Sequence, residues 1–542
     1  MVTRRDVMAA TMPLLSALAG PARAQGNAPR GADAWDQGQL AHLLPTVSHD
    51  RLLVKASFRQ PLATAPVLEV GDDTRVGGVR GDSAGLFWQF HAAGLRPGAP
   101  YRLTLRDGQG GTLAEPWTLK TFPAPDQAAT RLRLLMYSCA GGHDLFGEER
   151  TGFQFLPAAV RQRLLRRGLS FQPDALVANG DHVYWDLLAP RLSPLLGAHP
   201  AAERHAGRFD RAAPVLGSPN EQLLLRSAGP QIVPLYGTLC RSVPVFFLQD
   251  DHDHYDNDEA TDKAVTFPPD TFMVQAARAT QRLFYPEFLP DPARPAGLPG
   301  ADVVDQAGWR PSGLSESFGT LRYGTLAEVL LYDVRRTMTL NGPTAVFVAP
   351  EVEAWLKARM AARDAAHVVN APSNPPGWSA GKWGEWYPDI LGPDGKLTVD
   401  VPKPYWQPGW LAQHDRLMAA MAAMPERVPL VITGDLHAIG EGRMLAAGTH
   451  DFSRRPIVAA LPGTLGTSTG GWASEFRGVG PAVPKHLRMD ETVKPIEENG
   501  FSVLDFTPEA ITIRYFKWNQ KTQPVEAIDT LEPFHTSELK RG

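Results

Sequence analysis

The apolar run Val243-Pro-Val-Phe-Phe-Leu248 gives way within two residues to Asp250-Asp251-His252-Asp253-His254-Tyr255-Asp256-Asn257-Asp258. A short apolar run bounded by polar residues reads as a buried strand, so the acids begin where the strand ends. That many carboxylates and imidazoles at one strand tip repel one another unless a positive charge sits among them. A metal cluster is the simplest source of that charge. The pattern recurs along the chain. Leu132 to Tyr137 runs into Ser138-Cys139, and Asp174 to Ala178 into Asn179-Gly-Asp181-His-Val-Tyr184. Glu328 to Tyr332 runs into Asp333-Val-Arg335, and Val428 to Ile432 into Thr433-Gly-Asp435-Leu-His437. In α/β folds, ligands bind beyond the carboxyl ends of the strands. Five strands that deliver such residues to one edge therefore point to an α/β architecture for residues 130–542.

Between those strands, residues 155–167 carry apolar side chains at helical spacing, with Gly168 as the expected stop, and residues 351–365 read as a second helix. Ahead of them, residues 40–123 alternate short strands with Gly and Asp turns, the signature of a small β-sandwich. Leu95-Arg-Pro-Gly-Ala-Pro-Tyr101 resembles the tyrosine corner of fibronectin- and immunoglobulin-like sandwiches, in which Tyr101 would bond backbone a few residues upstream. A Pro-rich linker follows at 121–126. Residues 374–410 hold Trp378, Trp383, Trp386, Trp406 and Trp410 among Pro and Gly. Such an insert is either a lid over a pocket or a segment packing its rings into its own core.

At 542 residues the chain has room for two or more domains, and its formal net charge of −4 provides no field for nucleic acid or an anionic membrane. Residues 1–24 read as an export signal: Thr3-Arg4-Arg5-Asp6-Val7-Met8, an apolar stretch to Leu18, then Ala22-Arg23-Ala24. They resemble a twin-arginine signal, which implies passage through the twin-arginine export machinery after folding and a periplasmic or secreted location. No later segment is long and apolar enough to span a bilayer. The two cysteines, Cys139 and Cys240, can pair in an oxidising compartment. Against a pair, Cys139 stands at a strand end, where a ligand would be.

Gly180-Asp181-x-x-Tyr184, Asp250-Asp251-His252 and Gly434-Asp435-x-His437 stand in the order found in the calcineurin-like metallophosphoesterases. With Ser138-Cys139 first and a β-sandwich ahead, the chain resembles the alkaline phosphatase D branch of that superfamily. The resemblance implies an α/β fold of metallophosphoesterase type, with a β-sandwich flanked by helices. Asp181 can bridge two cations, as two-metal phosphoryl transfer requires. Tyr184 can turn back to the same ion, and its phenolate suits ferric iron better than zinc. Cys139 and His437 would complete that set, which the resemblance places on Fe(III). A second set, Asp181, Asp251 and Asp435 with Asp250 or Asn257, is hard and anionic and suits Ca²⁺, Mg²⁺ or Mn²⁺ better than Zn²⁺; the resemblance favours calcium.

By its place in the motif, His252 is the expected general acid for the leaving oxygen, with attack by a metal-held hydroxide. Arg335 is expected either to clamp a phosphate oxygen or to pair with Asp333 and brace the sheet edge. Asp253 and His254 are expected to brace their loop. The implied activity is hydrolysis of phosphate mono- and diesters, the substrate being the expected small-molecule partner. Two alternatives stay open: a phospholipase D-like phosphodiesterase acting on lipid headgroups, and a non-catalytic envelope protein with a structural metal.

Overall fold

The computed structural model describes residues 35–142, 144, 155–185, 209–254, 267–299 and 313–542. The expected signal at 1–24, and Tyr255, Asp256, Asn257 and Asp258 of the acidic run, lie outside them.

The central strands are apolar on both faces, and alternate residues enter different cores. In Leu132–Ser138, residues Leu132, Leu134 and Met136 join one buried cluster, while Leu135 and Tyr137 join a second. Ala175–Asn179 and Val245–Leu248 divide the same way, with Val177 and Phe246 in the first cluster and Leu176 and Phe247 in the second. In Ala327–Tyr332, Val329 and Leu331 enter the first cluster, whereas Leu330 and Tyr332 enter a third. Leu430–Ile432 sends Ile432 to the first and Val431 to the third. Period-two side chains on strands covered from both sides produce this division.

Two sheets therefore sandwich the first cluster, and helices cover their outer faces. The six-stranded sheet runs Val245–Leu248, Ala175–Asn179, Leu132–Ser138, Asn499–Phe506, Ala510–Trp518 and His535–Lys540. Its first three strands are parallel. Helices Ala158–Leu169, Pro219–Tyr236 and Thr271–Phe284 close the second cluster with Leu164, Leu224 and Phe284. In the eight-stranded sheet, Ala327–Tyr332, His367–Pro372, Leu430–Ile432 and Ile457–Pro462 are consecutive and parallel. Helices Pro350–Ala361 and Pro408–Ala422 cover it with Leu356 and Leu417. At the carboxyl ends the sheets meet: the Ser138 amide donates to the Gly463 carbonyl at 2.9 Å, and Asn179 Nδ2 to the Pro372 carbonyl at 3.0 Å.

Ahead of this sandwich, residues 40–120 form two four-stranded sheets. Leu43 and Phe90 of one share a core with Leu68 and Leu103 of the other. The Tyr101 hydroxyl accepts the Arg96 amide at 2.6 Å. Lys55, from strand Arg51–Phe58, is buried against Glu287 at 3.0 Å and fastens this region to the rest.

One expectation changes and two open alternatives are decided. The first helix starts at Ala158 and runs through Gly168 to Leu169. A Cβ on Gly168 would sit 2.7 Å from Leu135 Cδ2, so glycine there lets the helix lie close on the sheet rather than ending it. Cys139 and Cys240 are both buried and both free, so no disulfide joins them. Of the insert's tryptophans, Trp378, Trp386 and Trp410 are buried in the third cluster, with Trp383 and Trp406 packed against it. Those rings serve the core, not a lid.

Replacing Tyr101 by Phe removes the acceptor for the Arg96 amide and should cost about 1 kcal/mol of stability, read as a lower midpoint in denaturant with an unchanged slope.

Candidate metal centre

The strand ends converge on one buried spot. Seven non-glycine residues among those described have positive φ, and four are Cys139 (φ 45°), Asp181 (55°), Asp435 (75°) and His437 (48°). Left-handed backbone is costly for these residue types and persists where the surrounding structure over-determines it. The flanking glycines explain how it is held. A Cβ on Gly180 would meet Asp250 Cβ at 2.7 Å, and one on Gly434 would meet the Asn179 carbonyl at 2.5 Å and Ser138 Cβ at 2.6 Å. The Gly-Asp pairs are therefore close-approach points between strand ends, and each aims a carboxylate inward.

Cys139, Asp181 and His437 can offer ligand atoms within 4.8 Å of one another. Cys139 Sγ lies 3.4 Å from Asp181 Oδ2, Tyr184 Oη 3.4 Å from the same oxygen, and Tyr184 Oη 3.2 Å from His437 Nε2. His437 Nδ1 sits 2.9 Å from the Gly471 carbonyl. A carbonyl only accepts, so Nδ1 carries the proton and the Nε2 lone pair turns inward. Burial pushes the imidazole pKa down to about 4, so the ring is neutral at physiological pH. Burial, with Asp181 beside it, holds the Cys139 thiol well above its usual pKa.

The second half is a group of carboxylates. Asp181, Asp250, Asp251 and Asp435 are all buried, with ligand oxygens again within 4.8 Å of one another. Asp181 Oδ1 and Asp250 Oδ2 have no hydrogen-bond partner. Burial first, then neighbouring carboxylates, raises the Asp181 pKa well above the carboxylate range. Asp250 is raised too: burial and the other carboxylates outweigh the opposing effect of Arg335. Orphaned, mutually repelling oxygens beside a thiol, a phenol and an inward lone pair fit a bound cation. His252 lies at the solvent edge of this group. Its ring is tilted against Tyr184 with centroids 4.2 Å apart, its Nε2 lies 3.9 Å from Asp251 Oδ2, and its side chain keeps 14% exposure.

Arg335 is 2% exposed and its guanidinium is directed into the protein. Nε binds Asp250 Oδ1 at 2.8 Å, Nη1 the Gly384 carbonyl at 2.7 Å, and Nη2 faces Asp435 Oδ2 at 3.6 Å. It is a counter-ion for the acids rather than an open phosphate fork. Asp333, its expected partner, instead accepts the Arg335 amide at 2.6 Å and pairs with His254 at 2.9 Å. Asp253 accepts the amides of His182 and Val183, so it and His254 brace the loop.

Sequence reasoning missed two residues of the insert. Lys382 Nζ lies 3.3 Å from Asp251 Oδ2 and forms a shorter contact with Asp435 Oδ1. Asn374 Nδ2 donates to Asp435 Oδ2 at 3.2 Å. Asn374 follows strand His367–Pro372 by two residues, so the strand-end rule could have found it. Lys382 had no comparable signal.

Burial favours the protonated forms of Cys139, Asp181 and Asp250 in the metal-free chain, so metal binding should release protons. Affinity should therefore rise with pH, and calorimetric titration of metal into the metal-free protein should show proton release as a dependence on buffer ionisation heat.

No protein-family model matches the sequence, and no curated protein does. Among solved structures, the fold is similar to that of a purple acid phosphatase isolated from yellow lupin (Lupinus luteus) seeds. That match has TM-score 0.53 and 11% identity, and covers 93% of this chain and 75% of the other. It is also similar to that of PhoD, alkaline phosphatase D, with TM-score 0.54 and 14% identity over 95% of this chain and 90% of the other. In fold, then, the chain is similar to PhoD and to this purple acid phosphatase.

Proposed function

We propose that the protein is an exported, metal-dependent phosphoesterase that hydrolyses phosphate mono- and diesters. The observation that carries this reading is the convergence of Cys139, Asp181, Tyr184, Asp250, Asp251, His252, Asp435 and His437 from separate strand ends onto one buried, orphan-rich spot, in a fold shared with two phosphatases. Export through the twin-arginine machinery to the periplasm or beyond rests on residues 1–24.

Cys139, Asp181, Tyr184 and His437 would hold Fe(III). The carboxylate half has the hard oxygens that suit Ca²⁺, Mg²⁺ or Mn²⁺. When bound, metal supplies Lewis acidity at the phosphoryl oxygen and a nucleophile at neutral pH. The chain's own residues do the remaining work. Gly471 fixes the His437 tautomer. Arg335 and Lys382 limit repulsion among the acids. His252, partly exposed beside Asp251, would protonate the departing alkoxide oxygen. A lipid-headgroup substrate is less well supported, because Trp378, Trp386 and Trp410, which could have lined an apolar pocket, are core residues.

Purified protein should turn over a nitrophenyl phosphate monoester or bis-ester and lose that activity to a chelator. Turnover that stays absent with metal bound would leave the non-catalytic envelope protein as the better account. His252→Ala should lower kcat about 10²- to 10⁴-fold without loss of metal. A visible charge-transfer band should accompany iron and vanish in Tyr184→Phe; colourless protein containing only zinc would defeat the iron assignment and spare the phosphoesterase.

A further inference from the structure

The carboxylate half already contains a cation of the chain's own. Lys382 Nζ sits between Asp251 Oδ2, at 3.3 Å, and Asp435 Oδ1, which is closer. Those two carboxylates belong to the group expected to ligate a second metal. A divalent ion needs their oxygens at about 2.0 to 2.6 Å. An ion bound to the same two oxygens that Lys382 contacts would fall within the volume of its ammonium, so the two cations would compete for one place.

Lys382 is no surface lysine that happens to reach the site. Its residue is buried, and its backbone is locked by a hub inside the insert. Glu385, itself buried, accepts the Ala380 amide at 2.9 Å, the Ser379 hydroxyl, and Lys403 Nζ at 3.0 Å. Lys403 also donates to the Lys382 carbonyl, and two residues beyond Lys382 the Gly384 carbonyl takes Arg335 Nη1. Trp378 and Trp386, buried on either side, anchor the segment in the third core. Presenting one ammonium to two buried carboxylates is the arrangement that offsets their desolvation.

We infer that Lys382 is the resident cation of the carboxylate half, so that the centre holds one metal ion tightly and a second divalent ion enters only by displacing the ammonium. This deepens the phosphoesterase reading and rests on it in one respect, the metal in the thiol–imidazole half. A single cation-neutral substitution should then convert a one-metal centre into a two-metal one.

The test is elemental analysis of the full-length protein after incubation with Ca²⁺ and exhaustive washing in metal-free buffer. Wild type and Lys382→Arg should retain about one ion per chain, and Lys382→Met about two, the additional one being calcium. Calcium should also raise the melting temperature of Lys382→Met while leaving Lys382→Arg unmoved. Two retained ions in wild type overturn the inference without any variant, which covers a Lys382→Met protein that fails to fold. One retained ion in Lys382→Met, with no thermal response to calcium, overturns it as well. In both cases the phosphoesterase reading stands. No retained ion in wild type overturns both.

Discussion

The structure is organised around mutual repulsion among four buried carboxylates, Asp181, Asp250, Asp251 and Asp435. Water cannot screen them there, so they are tolerable only with protons or cations close by. Much of the local architecture follows from delivering both the acids and their partners to one point. The left-handed backbone at Cys139, Asp181, Asp435 and His437 turns four side chains inward just past their strands. Gly180 and Gly434 let the strand ends approach closely enough for the turns to meet. Arg335 and Lys382 bring charge from two further segments.

How far sequence reading reached depends on where information is local. Strands such as Ala175–Asn179 and Val245–Leu248 show as apolar runs because both faces are covered. The residues just beyond them are conspicuous because an acid after an apolar run is unexpected. Cys139, Asp181, Asp251, Asp435 and His437 stand just past such strands, and the resemblance to the metallophosphoesterases groups them with Tyr184 as a metal set. Gly168 misled because glycine near the end of a helical pattern has two physical uses, stopping the helix and allowing close packing; Leu135 beneath it decides for the second. Arg335 was ambiguous for a similar reason: its spacing after the strand is local, but Asp250 and Gly384, which capture it, are not.

Lys382 and the role of the Trp-rich segment lay beyond local inference. Nothing in the spacing of Trp378 to Trp410 says that the rings turn toward helices Pro350–Ala361 and Pro408–Ala422. Nor does spacing show that a buried Glu385 gathers Ser379, Ala380 and Lys403. Aromatic packing on one side of the segment and a carboxylate hub within it aim a single ammonium at the acids. Composition identified a segment with a purpose, but the purpose is set by tertiary contacts.

The donor set is split between two separate sheets. Cys139, Asp181 and Asp251 follow strands of the six-stranded sheet, whereas Asp435 and His437 follow a strand of the eight-stranded one. Hydrogen bonds such as Asn179 to Pro372 and ion pairs such as Arg335 to Asp250 already join the sheets at that rim. An ion gripped from both sides would act as a clasp, cross-linking regions far apart in the chain much as a disulfide would, in a protein whose two cysteines stay apart. Metal loading would then add to the ties that hold the two sheets together at that rim.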